Sequence, residues 1–256
     1  MNLLKISNKI REAVIIRSLL FIIIVAAVRA QQLVPSWFQS LPEHEQINIA
    51  VGYTGRYRDR ELARQAALNQ ARKNLAKQLK IRLIFEIQEM SDGYYRLIQP
   101  TFEEIYFENI KVYVDTHSQV LDSAYLDNRY YILLANSKNI EFDSIENGWG
   151  AKPSWTDQIP QSDNYVYGVG IVANYFYWKN GWQDADGYAR FDACKNLRIQ
   201  TASIRARNRM DNHSMHRKIL KQSIDITVAN SRIIERWYDI QRDVFYSLCR
   251  IPISNQ

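Results

Sequence analysis

Two histidines, His213 and His216, stand three positions apart, a spacing that places both side chains on one face of a helix. Such a pair can share a metal ion, but a zinc site needs third and fourth ligands, and the sequence offers none at a suitable spacing. Arg209, Arg217 and Lys218 flank the pair, and their positive charge opposes the binding of a cation. We therefore expect a solvated polar helix face here, and neither a metal nor a cofactor in this protein.

Acidic residues occur in pairs at Glu103-Glu104 and at Asp184 and Asp186. General acid–base catalysis needs carboxyl groups that reach the same reacting atoms. Adjacent positions on a helix diverge in direction, and Asp184 is placed as a helix N-cap, so neither pair meets that need. A Gly-Val-Gly segment at 168–170 lacks the third glycine of a dinucleotide site. The sequence thus predicts no catalytic residue and a protein that is not an enzyme.

Aromatic residues concentrate in the second half of the chain, beside the flexible pair Asn180-Gly181. The set is Tyr175, Phe176, Tyr177, Trp178 and Trp182. Aromatic side chains exposed in a loop suit protein partners or glycans. Alternating aromatics can instead extend the preceding strand and pack on both of its faces. The sequence leaves both interpretations open, and this set is our candidate partner-binding surface.

A basic run follows the aromatic set along the chain. Its members are Arg205, Arg207, Arg209, Arg217 and Lys218. Such a patch can dock on an anionic surface, for example the lipid A phosphates of an outer membrane, or on an acidic partner, including a second copy of the chain. In the alternative interpretation the long stems cover apolar neighbours while the charges stay solvated.

The first thirty residues have the pattern of a secretory signal. Lys5, Lys9, Arg11 and Arg17 precede an apolar run at 19–28, and small residues at the end of that run fit a cleavage site. The run is about half of the roughly 20 residues that cross a bilayer as a helix, and an uncleaved anchor is the alternative. We expect an exported protein of the periplasm or the outer-membrane periphery.

The formal net charge and the positions of the cysteines exclude further classes of protein. Without residues 1–30 the formal charge falls from +6 to +2, because that segment holds five basic residues and one acidic residue. This balance is too mild for a nucleic-acid-binding protein. No cysteine directly follows the apolar run, so we expect no lipid anchor. Cys194 and Cys249 are the only cysteines, and they can form a disulfide after export or remain buried thiols.

One pattern of structure-setting residues occurs twice. Each residue of the second set lies 118 positions after its counterpart in the first, as 153 does after 35. The two sets are Pro35, Trp37, Pro42 and Gly52, and Pro153, Trp155, Pro160 and Gly170. Proline keeps the segment extended, the indole can plug one end of a helix–sheet layer, and glycine allows a close approach of helix and strand.

The elements around these residues also follow one order in both halves. In the first half we expect a strand at 47–53, a helix capped by Asp59, a second helix at 101–109, and strands at 111–121 and 129–135 joined by a turn. In the second half we expect a strand at 165–172, a helix from Asp184, and strands at 224–238 and 244–251. Small alanines recur every fourth residue in both long helices.

This order predicts an α+β fold of two tandem repeats. Each repeat runs strand, long helix, helical segment and β-hairpin, with helices on one face of a mainly antiparallel sheet. After the signal at 1–30, we place the repeats at 31–148 and 149–256, because glycines at 148 and 150 and a proline at 153 break regular structure there. Each range is long enough to bury its own core.

This pattern resembles the Lpp-twenty-type lipoprotein domain of bacterial envelopes, which also occurs in flagellar assembly proteins such as FlgP and FlgT. The resemblance is carried by Pro35, Trp37, Gly52, Ala63, Ala67, Ala71 and Leu75, and again by Pro153, Trp155, Gly170, Ala185, Ala189, Ala193 and Leu197. The chain departs from the lipoprotein members in lacking the anchoring cysteine and in duplicating the domain. The resemblance supplies no active-site residue.

The resemblance implies a non-catalytic envelope protein that binds a protein partner or itself. On this basis we expect a structural or assembly factor of a periplasmic or outer-membrane surface complex, in the setting of motility or of another surface assembly. The alternative is an envelope enzyme that acts on cell-wall or glycan material in a cleft between the two halves.

Overall fold

The computed structural model describes residues 33–43, 47–89, 102–137, 146–147, 149–173, 175–207 and 220–253. Over these residues the chain is a mixed α+β protein with antiparallel sheets, as the sequence predicts. The expected signal at 1–30 lies outside the described residues. Within the described ranges, no helix is both long enough and apolar enough to cross a membrane.

The described residues of the first half form ten helices and strands. In chain order they are β1 (Val34–Pro35), α1 (Ser36–Gln39), β2 (Ile49–Tyr53), α2 (Arg60–Leu79), β3 (Lys80–Glu89), β4 (Phe102–Tyr106), α3 (Glu108–His117), β5 (Gln119–Leu126), β6 (Arg129–Ala135) and β7 (Glu146–Asn147). The Asp59 carboxylate caps α2 by accepting hydrogen bonds from the Glu61 and Leu62 amides at 2.8 and 3.0 Å. This cap and the strand at 129–135 confirm two predictions.

The two elements predicted between α2 and the strand at 129–135, a helix at 101–109 and a strand at 111–121, are wrong. Residues 102–106 form a strand rather than part of a helix, because they pair with β3 from Ile81↔Tyr106 to Phe85↔Phe102. Residues 108–117 form a helix rather than a strand. The alternation that suggested a strand is misleading, since Val114 is fully buried while Val112 is 56% exposed. Val114 instead packs with its helix neighbour Ile110 in the cluster that contains α2.

The second half begins with a short 3-10 helix (Ser154–Thr156) and continues with β8 (Tyr165–Ala173), α4 (Trp178–Arg207), β9 (Leu220–Ala229), β10 (Arg232–Asp239) and β11 (Val244–Pro252). Helix α4 begins six residues before the predicted start, so Asp184 lies inside it and is not its N-cap. The single strand predicted at 224–238 is two strands, which are separated at Asn230, where φ is +56°.

The two long helices cover two sheets of the same strand order. In each sheet the strand that comes last in the chain lies between the other two, giving β2–β6–β5 and β8–β11–β10. A third sheet, β4–β3–β9, joins the halves, because β3 pairs with β9 over ten residues from Lys80↔Ala229 to Glu89↔Leu220. The two ranges are therefore linked by continuous backbone hydrogen bonding.

An aromatic cluster also joins the two ranges. The Phe38 ring from the first half lies 5.3 Å from Tyr131 and, between centroids, 5.7 and 5.4 Å from Trp178 and Trp182 of the second half. The cluster around Phe38 is therefore a core that the two ranges share. The boundary between 148 and 149 stays a prediction.

The two predicted indole wedges have corresponding surroundings. Trp37 is fully buried and donates its Nε1–H to Asp122 on β5 at 2.8 Å, while the buried Trp155 donates to Glu235 on β10. Each carboxylate directly follows a register shift in its strand, between Val120 and Asp122 and between Ile233 and Glu235. Each indole thus packs in the core, and its ring nitrogen has a hydrogen-bond acceptor.

The matched prolines and glycines also occupy comparable places. Pro35 and Pro153 have extended backbones, with ψ of 145° and 146°, and each directly precedes a short helical turn. A Cβ built on Gly52 would lie 1.9 Å from the Ala67 carbonyl oxygen, and one on Gly170 would lie 1.9 Å from that of Ala185. These positions require glycine because α2 and α4 lie directly on the strands. The tandem repeat itself stays a prediction.

Candidate functional site: a polar cleft between two long helices

A cleft of about 470 Å³ lies between α2 and α4, with β4 at its base. Its position follows from the fold, because the helices lie on two different sheets that the third sheet joins. The alanine faces of α2 and α4 pack on their own sheets, and polar side chains from both helices line the space between them. Residues far apart in the sequence therefore meet at one site.

The base of the cleft holds a buried carboxylate between two cations. Glu104 of β4 accepts hydrogen bonds from Arg190 Nε at 2.6 Å and Nη2 at 3.3 Å, and it also pairs with Lys77. Burial of Glu104 opposes its ionisation, but the charges of Arg190 and Lys77 outweigh burial and lower the pKa of Glu104 to about 2. Burial and the neighbouring Arg190 lower the pKa of Lys77. Two cations thus share one carboxylate.

A second buried carboxylate, Asp186 of α4, lies beside this group. Arg236 donates to it from Nε at 3.1 Å and from Nη2 at 2.9 Å, and the Ser247 hydroxyl donates at 2.7 Å. Tyr53 from the first half donates its hydroxyl at 3.3 Å. Burial, and then the charge of Asp186, raise the pKa of Tyr53 well above its usual value. Both oxygens of Asp186 therefore have partners, and the network joins both halves.

Side-chain amides that line the cleft connect its two helices. Gln183 of α4 donates to the Gln70 side-chain oxygen on α2 at 3.0 Å. Gln70 in turn donates to Asn74 at 3.0 Å, and Asn74 donates to the Val51 carbonyl oxygen at 2.8 Å. The amides form a chain that connects the two helices and is anchored on strand β2.

These contacts limit the chemistry of the cleft. A carboxyl group with a pKa of about 2 stays ionised near neutral pH, so Glu104 is a weak base and holds no proton to donate. Asp186 is held between Arg236, Ser247 and Tyr53. No group of three or more His, Cys, Asp or Glu side chains suited to a metal occurs in the part of the chain that the structure describes. The two buried carboxylates of the cleft are thus each held by a cationic partner.

Only part of the predicted aromatic surface is exposed to solvent. Trp178 is 9% exposed and Trp182 is fully buried, so their assignment to an exposed binding loop is wrong. The reason is that α4 starts at Trp178, which places these two residues one turn apart on the face that packs on Phe38. Phe176 and Tyr177 are exposed. Tyr175 is half-buried and donates its hydroxyl to Asp184.

The predicted basic patch is not described by the structure. Arg205 and Arg207 lie in helix α4, but their side chains are not described. Arg209, Arg217 and Lys218 lie outside the described residues, together with His213 and His216. That patch stays a prediction. Cys194 and Cys249 are both free thiols in one buried cluster, and burial raises the pKa of Cys249 to about 12.

Sequence reasoning dismissed the two carboxylates that organise the cleft. Glu104 and Asp186 were each judged only against their sequence neighbours, whereas the partners of Glu104 lie on two other elements. One feature of the sequence could have indicated a buried ionic site on α4. Asp186 and Arg190 are four positions apart on α4, directly beside the alanines of its buried face, where charged side chains need partners.

Comparison of the chain with protein-family models, with curated proteins and with solved structures gave no match. The resemblance to the envelope lipoprotein domain therefore stays a prediction from the sequence.

Proposed function

We propose that this chain is a non-catalytic protein that acts by binding a protein partner, as a structural or assembly factor of an envelope surface complex. The observation that carries this proposal is an exposed apolar tip, which comprises Phe176 and Tyr177. These side chains are 91% and 64% exposed, and their rings contact each other at 4.8 Å between centroids. Large apolar side chains grouped at the surface are typical of protein interaction sites.

The described elements on either side of the apolar tip are anchored in the core. Trp178 directly follows the tip and stacks on Phe38 at 5.7 Å, and Arg129 lies 4.8 Å above the Trp178 ring. Strand β8 precedes the tip and pairs with β11 along its whole length. A tip held on buried anchors loses little conformational entropy when it binds, which favours affinity.

The alternative, an enzyme acting on cell-wall or glycan material in the cleft, has less support. Catalysis by a carboxyl pair needs one group that can donate a proton, and Glu104 and Asp186 are each held by cations. Location in the periplasm or at the outer-membrane periphery and a role in motility are parts of the proposal that rest on the sequence pattern and the resemblance.

The apolar tip is tested by the double substitution Phe176→Ser and Tyr177→Ser. Because truncation of central aromatic contacts costs about 2 kcal/mol or more, we expect roughly a thirtyfold loss of partner affinity. Tagged protein is used to capture partners from envelope extracts, and the Kd of the recovered partner is then measured for both forms.

The matched control is Tyr57→Ser with Val112→Ser, which removes two side chains that are 37% and 56% exposed elsewhere on the surface. We expect the control to bind as the unmodified chain does. Equal affinity of the tip variant and the unmodified chain, with the fold intact by circular dichroism, would contradict the proposal. So would a substrate turnover that is lost on substitution of a cleft carboxylate.

A further inference from the structure

We propose that the cleft between α2 and α4 binds a small hydroxyl-rich anion of monosaccharide size, namely a sugar acid or a sugar phosphate. This inference concerns a different site from the apolar tip and does not rest on the proposed function. A cavity of about 470 Å³ is within the usual range for small-molecule sites.

The charges of the cleft favour an anion on its α2 side. At the base, Lys77 and Arg190 share the single carboxylate of Glu104, which leaves one positive charge in excess. Lys73, on the same side, contributes a further exposed cation, whose ammonium lies 5.8 Å from the Tyr106 ring centre. A carboxylate or phosphate group can approach both lysines without displacing an existing buried pair.

The two other carboxylates do not cancel this attraction. Asp186 is balanced by the bidentate contact of Arg236, which lies behind the cleft. Asp184 stands on the α4 side and accepts a hydrogen bond from Tyr175. Its carboxylate can accept further hydrogen bonds, so it suits a hydroxyl group of the ligand and repels a second anionic group.

The remaining walls suit a polar ring. Gln70, Asn74 and Gln183 present amide groups that can donate to and accept from hydroxyl groups. Phe102 and Tyr188 lie edge to face at 5.3 Å and line the same cleft, so they offer an apolar surface beside the amides. Amides, an aromatic wall and an excess cation together fit a hydroxyl-bearing ring with one acidic substituent.

The test is isothermal titration calorimetry of the full chain with three probes: D-glucuronate, D-glucose 6-phosphate and D-glucose. We expect saturable binding of at least one charged probe with a Kd of about 1 mM or tighter, and glucose binding at least about tenfold more weakly. Preference for glucuronate or for glucose 6-phosphate identifies the acidic group as a carboxylate or a phosphate.

Two variants locate the site. Lys73→Met removes an exposed cation of the cleft, so the fold is retained, and we expect about a tenfold weaker binding of the charged probe. Lys111→Met on α3 removes a lysine outside the cleft that is 40% exposed, and it should leave binding unchanged. Absence of saturable binding of both charged probes, equal binding of glucose, or an unchanged Kd in Lys73→Met would overturn the proposal.

Discussion

Substitution of Asp186 by alanine is expected to lower the free energy of unfolding by about 3–5 kcal/mol. The carboxylate is 2% exposed and is the bidentate partner of Arg236, which is itself 4% exposed. Removal of the carboxylate leaves the guanidinium charge buried without its counter-ion and also removes the acceptor of Ser247 and Tyr53. The loss is measured by denaturant unfolding followed by tryptophan fluorescence.

The control for this prediction is Asp157→Ala. Asp157 pairs with Lys152 at the surface, where the two side chains are 69% and 42% exposed. Exposed ion pairs contribute little, so we expect a loss below about 1 kcal/mol. If the two substitutions destabilise the chain equally, Asp186 does not hold the two halves together as we describe.

Substitution of Gly52 by alanine is expected to destabilise the chain by about 3 kcal/mol. The new Cβ would lie 1.9 Å from the Ala67 carbonyl oxygen and 2.4 Å from the Ala71 nitrogen, and both atoms belong to the backbone of α2. Backbone atoms cannot rotate away as a flexible side chain can, so the helix has to move off its strand. Thermal or denaturant unfolding measures the effect.

Gly55→Ala is the matched control, three residues along the same segment. A Cβ at Gly55 has no heavy atom within 4 Å, so the free energy of unfolding should change by no more than about 0.5 kcal/mol. Similar stability of the two variants would show that α2 does not pack on β2 at the distance described.

Local features of this fold could be predicted from the sequence. The Asp59 cap, the alanine face of α2 and the turn at Asp127 and Asn128, with φ of 49° and 58°, depend on residues close together in the chain. The elements that were predicted wrongly depend on distant partners. Residues 102–106 form a strand because β3 offers an edge for pairing, and that edge is not visible in the local pattern.

The candidate site was out of reach of sequence reasoning for the same reason. An amide bridge joins Gln70 to Gln183 from two helices, and the base of the cleft joins Lys77, Glu104 and Arg190 from three elements. Five aromatic residues were predicted to form a binding surface. The two tryptophans among them lie in the core, because α4 begins earlier than the predicted cap at Asp184 suggests. Phe176 and Tyr177 alone of that set are more than half exposed.

The shared core is the premise of the cleft, the buried ion pairs and the anchoring of the apolar tip. It is tested most directly by equilibrium unfolding of the unmodified chain in denaturant, monitored in parallel by tryptophan fluorescence and far-ultraviolet circular dichroism. Because Phe38 of the first half packs on Trp178 and Trp182 of the second, and β3 pairs with β9, we expect both probes to report one coincident transition. Two separate transitions, with one half retaining its structure after the other has unfolded, would contradict the account.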